Sequence, residues 1–174
     1  NAGMEQKTMP DYNPYTIKRC KDCDMSNGKM ELVFVPENEL CAACKLVREL
    51  AKTDAKQTRA AAKPLQGTII RNTHFHHDVN ITGTSIREWT NQPHKHFKAK
   101  NQMLLDINNV FSNAAYLGTT DNHKGIKRVV QSHIFEVEVS GEKNLLIVRE
   151  YDWGEYVLHS ISDSPELYNK IKKE

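Results

Sequence analysis

Three runs near the end of the chain alternate apolar and polar residues with the period of two that a half-buried strand requires. They are Val129–Val139 (VVQSHIFEVEV), residues 145–151 (LLIVREY) and Tyr156–Ser162 (YVLHSIS). The linkers between them, SGEKN and DWGE, are of hairpin length and contain glycine, which predicts an antiparallel meander. Upstream the period becomes helical. Phe97, Leu104, Ile107, Phe111 and Ala114 predict one long helix, opened by Asn91-Gln92-Pro93 and ending near Gly118. Ser85-Ile86-Arg87-Glu88 reads as a capping box for a short helix through Trp89. Residues 79–81 read as a short β segment ending at Gly83, and Ser164-Pro165 predicts a last short helix. Helices first and a meander after predict an α+β fold for residues 68–174, with N-terminal helices packed on an antiparallel β-meander.

The first part of the chain follows different rules. Asn27-Gly28-Lys29 signals a turn, and residues 30–35 (MELVFV) read as a strand stopped by Pro36. Residues 45–63 are helical in pattern, with Leu46, Val47 and Leu50 on one face; beyond Leu50 the apolar stripe gives way to Ala, Lys, Gln and Arg. A helix that polar fits a partner or serves as a spacer arm. Lys63-Pro64-Leu65-Gln66-Gly67 then breaks the chain, and the domain boundary is expected there. The expected organisation is a tail (1–16), a small module with a helical arm (17–62) and the α+β domain (68–174). The start lacks an initiator methionine, and Asn1-Ala2 has the look of a protease scar, so a domain cut from a longer polypeptide is expected.

Cysteine placement sharpens the picture of the small module. Cys20, Cys23, Cys41 and Cys44 are the chain's four cysteines and form two C-x-x-C pairs with seventeen residues between them. Four thiolates on two such turns match the tetrahedral demand of zinc, and predict one structural ion in a zinc ribbon or knuckle. A closed four-thiolate cage leaves no open coordination position, so chemistry is expected elsewhere. Two disulfides or four ordinary thiols are the alternatives; a disulfide scaffold would spread its cysteines through the domain it staples.

Composition excludes some functions. The 174 residues are 39% hydrophobic with a net charge of +2, and no apolar run approaches the ~18 residues of a membrane span. Residues 63–174 hold fourteen Lys and Arg against thirteen Asp and Glu, so bulk charge makes no case for nucleic-acid binding. Local clusters must carry it.

Of eight histidines, seven lie between residues 74 and 133, and the last is His159. With no cysteine in this region, histidine is the natural proton carrier near neutral pH. His74, His76, His77 and Asp78 (THFHHD) lack the i, i+4 spacing of helical zinc sites and read as a solvated loop. His94, Lys95, His96, Lys98 and Lys100 form a cationic stretch at an expected helix start, where an anion such as phosphate is favoured; a solvated face is the bland alternative. The segment 121–128 (DNHKGIKR) is basic, and matters only if it borders the same groove.

The sheet is the most informative candidate. If Val139 pairs with Leu145 and Tyr151 with Tyr156, one face carries His133, Arg149, Tyr151, Ser160 and Ser162 at one end, and His159 lies on the other face. An arginine in mid-strand is expensive to bury without a partner. A histidine, an arginine and a hydroxyl suit metal-free RNA cleavage: one group takes the 2′-OH proton, another protonates the departing 5′ oxygen, and a cation steadies the crowded phosphate.

The segments ITGTSIREWTNQPHKHFKAKN, NAAYLGTTDNHKG, VVQSHIFEVEV and LLIVREYDWGEYVLHSIS resemble the C-terminal domains of phage Mu-type head morphogenesis proteins, over about residues 68–174. Those domains are grouped with the barnase–EndoU–colicin–RelE (BECR) nuclease fold. The resemblance implies a metal-independent endoribonuclease, a phage-encoded toxin or effector acting on RNA in the bacterial cytoplasm or carried in a virion. An immunity protein or phage head proteins would be its partners, with no membrane involved. Carried over, the site would be His133, Arg149 and Ser160, with His159 as proton-transfer partner and His96 as a helix-borne contributor. No glutamate base paired with a C-terminal histidine is evident, unlike barnase-like members. The rival expectation is a non-catalytic, zinc-stabilised module that docks in a virion or on nucleic acid.

Overall fold

The structure is a computed structural model and describes residues 15–18, 33–36, 42–91 and 95–173. The chain divides into two compact units, Asn1–Ala51 with Pro93–Lys95, and Lys52–Gln92 with His96–Glu174. In the first, strand β1 (Tyr15–Lys18) pairs antiparallel with β2 (Val33–Pro36), and helix α1 (Ala42–Ala62) begins. Leu46 and Leu50, expected on one face of this helix, are exposed.

The zinc expectation is corrected here. Among the described residues no group of three or more His, Cys, Asp or Glu side chains is placed to hold a metal ion. A zinc cage needs four donors converging on one point. Cys44 is buried on the first turns of α1 and belongs to no such group among the described residues. Cys20, Cys23 and Cys41 lie outside the described residues.

The second unit is α+β, built on a curled six-stranded sheet in the order β3-β4-β8-β7-β6-β5. Its strands are β3 (Ile69–Asn72), β4 (Phe75–Asn80), β5 (Ala115–Asp121), β6 (Val129–Val139), β7 (Glu142–Tyr151) and β8 (Tyr156–Ser162). β5 to β8 form an antiparallel meander, while β4 joins β8 in parallel and makes the sheet mixed. The THFHHD segment, expected as a loop, is the β3–β4 turn and β4 itself, closed by an Arg71–Asp78 ion pair at 2.8 Å. The terminal half of α1 buries only small residues, Ala55, Thr58 and Ala62, which explains its weak apolar stripe.

Helices α2 (Gly83–Thr90), α3 (Phe97–Leu105) and α4 (Ile107–Asn113) cover one face of the sheet. Ile86, Trp89, Leu104, Ile107 and Phe111 bury against Phe135, Leu146, Val148, Leu158 and Ile161. The predicted long helix is two helices because Asp106 leaves helical geometry (φ −111°, ψ 27°). That break lets Leu104 and Ile107, on either side of it, both bury completely. The capping box is also displaced: Thr82 and Ser85 cap α2 reciprocally at 3.0 Å, and the Ser85 hydroxyl donates onward to the Leu158 carbonyl.

Gly118, expected as a helix stop, lies inside β5 with φ +135°. A Cβ there would collide with the carbonyl oxygen of Lys172, whose backbone exchanges two hydrogen bonds with Thr119. Gly118→Ala is therefore expected to break the bridge and cost about 1–3 kcal/mol through forced backbone strain. Hydrogen exchange reads it directly: the Thr119 and Lys172 amides lose protection, and unchanged protection would refute the argument.

Candidate functional site

Hairpin register decides which side chains share a face. Val139 pairs with Glu142 rather than with Leu145, because Ser140 (φ 50°) and Gly141 (φ 81°) make a two-residue turn with both φ values positive. His133 consequently lies opposite Val148, and Arg149 lies opposite Ser132. Directly opposed residues share a face, so His133 points to the helix-covered side and Arg149 to the other. The expected grouping of His133 with Arg149 is corrected by this three-residue difference, an odd shift that exchanges the two faces.

A second irregularity brings His159 to Arg149. Between β7 and β8, Ile147 faces Ser160 but Val148 faces Leu158, which leaves His159 as the extra residue of a bulge. Bulges re-aim a side chain out of strict alternation. Arg149 and His159 both line a cavity of about 430 Å³ on the face away from α2 to α4. Its walls include Ser132, Ser162, His123 and Lys124, with Lys170 from helix α5 (Pro165–Lys170). α5 is held to this face by the Tyr168 hydroxyl, which donates to Glu136 at 2.9 Å; burial and that carboxylate push the phenol up to about 12.

The loop carrying His123 and Lys124 is folded by one side chain. Asn122 Nδ2 donates to the carbonyls of Ile126 (2.7 Å) and Val129 (3.0 Å), and its Oδ1 accepts from the Ile126 amide at 2.9 Å. The basic segment DNHKGIKR thus borders the same cavity as Arg149. Asp121, also at the rim, is engaged by Lys172 at 2.8 Å.

Charge is unevenly satisfied here. Arg149 is half-buried and forms no hydrogen bond or ion pair with any described residue. Burial pushes the His159 imidazole down to about 4, and the neighbouring Arg149 charge adds to it while Glu88 opposes it. At neutral pH the cavity therefore holds a guanidinium beside an uncharged imidazole, a pair able to attract an anion and to accept a proton.

The low value of His159 makes stability depend on pH. Between its unfolded value of 6.5 and about 4, the unfolded chain holds a proton on this ring and the folded chain does not. Stability contributed by this group is complete above pH 6.5 and falls as the pH drops toward 4. His159→Gln is expected to flatten that segment of the stability–pH curve in urea melts; parallel curves for the two proteins would contradict it.

His133 belongs to a different, buried cluster. Its Nε2 lies 2.8 Å from Glu150 Oε1 and its Nδ1 lies 3.0 Å from the Tyr116 hydroxyl. Phe75 and Tyr156 pack around the ring, and His77 stacks on Tyr156 at 4.2 Å. For Glu150, burial acts to raise the carboxyl but is outweighed by hydrogen bonds from Gln131 and His133, and the net shift is downward. Ser160 is on the cavity side by register but is itself buried.

The remaining expected contributors sit elsewhere. His96 is at the start of α3, 3.5 Å from Glu142, roughly 20 Å along β7 from Arg149. Lys100 is buried and faces Asp163 at 3.8 Å, while Lys98 is exposed; His94 lies outside the described residues. The segment holding His123 and Lys124 was singled out from the sequence on the condition that it borders the same groove, and Asn122, a loop-closing residue directly before them, was the signal that could have placed it. Sequence reasoning missed Ser132 as a wall residue.

No described helix is long and apolar enough to cross a membrane. No curated protein and no solved structure matches the chain. A family model described as large polyvalent protein-associated domain 3 matches residues 49–167. Since that match spans most of the chain and takes in the whole six-stranded sheet with Arg149 and His159, the chain belongs to the large polyvalent protein-associated domain 3 family.

Proposed function

We propose that the face of the sheet away from α2 to α4 binds and cleaves an RNA phosphodiester without a metal ion. The observation that supports this reading is the half-buried Arg149, without a partner among the described residues, beside the uncharged His159 on an open cavity. A cation held out of bulk water favours an anion, and a guanidinium fits phosphate oxygens with two parallel N–H donors.

In this reading His159 accepts the proton of the ribose 2′-OH, and the 2′ oxygen attacks phosphorus. The bond to the 5′ oxygen breaks, and that oxygen takes a proton from His123, the other imidazole on the cavity wall. The products are a 2′,3′-cyclic phosphate and a 5′-hydroxyl. Arg149 steadies the charge that builds on the phosphate oxygens, and Ser162 or Ser132 orients them. His133 takes no part; its contacts to Glu150 and Tyr116 brace the sheet beneath. We read the order of helices followed by a four-stranded meander as BECR-like, in a phage-encoded effector.

The test is cleavage of a fluorogenic RNA in the presence of EDTA, with mass spectrometry of the products. Cyclic phosphate termini that vanish in Arg149→Ala support the reading. Binding of RNA with no cleavage above background would overturn it in favour of a non-catalytic nucleic-acid module.

A further inference from the structure

A second cavity, of about 290 Å³, shares Arg149 and His159 with the first and continues past them to Tyr151 and Trp153. Trp153 is 53% exposed, unusual for so large an apolar ring, and it stands on the β7–β8 turn. Tyr151 stacks on it with centroids 4.6 Å apart and planes 26° from parallel. Arg128, held by Asp152 at 3.1 Å, places its guanidinium 5.1 Å from the Trp153 ring centre. Tyr151 and Arg128 thus brace the Trp153 ring, and both aromatic rings line a cavity that also reaches Arg149, which has no partner among the described residues. A flat aromatic wall next to an anion clamp matches the alternating chemistry of a nucleotide chain, base and phosphate in turn.

We propose that this second cavity is a nucleobase subsite, in which an unpaired base of single-stranded nucleic acid stacks on the Trp153–Tyr151 pair while the adjoining phosphate lies on Arg149. It rests on the reading of Arg149 as a phosphodiester clamp. The base must be unpaired, because a base in a duplex is already stacked on both sides. The subsite gives the site its substrate class: single strands or loops, in preference to helical RNA.

Short oligodeoxynucleotides test it without turnover, since they lack the 2′-OH needed for cleavage. The chain has two tryptophans, and Trp89 is buried, so emission that responds to ligand reports Trp153. A single-stranded hexamer is expected to quench that emission and to bind about tenfold more tightly than an abasic hexamer of equal charge. Trp153→Ala should erase this base-dependent increment and leave abasic binding unchanged, whereas Trp153→Phe should retain it by titration calorimetry. Arg149→Ala should weaken both ligands together. Equal affinity for the two hexamers would overturn the subsite and leave the phosphodiester reading standing. Absence of binding by either would overturn both.

Discussion

Arg149→Ala is expected to lower the rate of RNA cleavage by about 10²–10³-fold while leaving the fold at least as stable as before. The two effects have opposite signs for one reason. Arg149 has no partner among the described residues, so truncating it strands no buried carboxylate and relieves a half-buried charge. In the proposed reaction, catalysis loses the group that follows the charge as it grows on phosphorus. Arg149→Lys keeps the charge but not the fork, and an intermediate loss of about tenfold is expected. His159→Ala removes the proposed proton acceptor and should lower the rate by about 10²–10⁴-fold. Cleavage assays paired with urea melts decide the matter. A variant that loses activity only in proportion to its lost stability would make Arg149 a structural residue.

Phe135→Ala should be the most damaging substitution for stability, at about 3–5 kcal/mol. Phe135 is fully buried at the meeting point of Phe111 (4.7 Å), Tyr116 (5.1 Å) and Phe75 (5.2 Å between ring centres). These neighbours come from α4, β5 and β4, so one truncation loosens the contact of the helical layer with three parts of the sheet. The rings around the void cannot all move inward, since each is held by other contacts. A drop in the urea midpoint with an unchanged slope is expected. A loss below about 1 kcal/mol would show that the aromatic cluster repacks.

The alternating runs of β6, β7 and β8 were legible because each buries one or both faces on a regular two-residue period. Their register was not. SGEKN reads as a five-residue linker, yet Ser140 and Gly141 alone make the turn, and residues 142–144 extend β7 instead. That difference moves His133 away from Arg149. The bulge at His159 was equally hidden, since an extra residue leaves no mark in a pattern of apolar and polar positions. β5 escaped because Ala114 continues the helical spacing of α4 and Gly118 reads as its stop, and only the approach of Lys172 explains the glycine. Arg149 and His159 were both singled out by residue type; what joined them in one cavity was backbone geometry. The zinc expectation came from spacing alone, and convergence of ligands is a three-dimensional property that spacing does not guarantee.

The antiparallel bridge between Lys172 and β5 also protects the sheet. β5 is an outer strand of the sheet, and an outer strand offers its unmatched amide and carbonyl row to any extended chain nearby. The backbone of Lys172 occupies that row at Thr119, and its ammonium holds the Asp121 side chain at 2.8 Å. A few residues laid antiparallel beside the strand thus act as a guard rail, denying a second molecule the straight edge along which fibrils and swapped dimers grow.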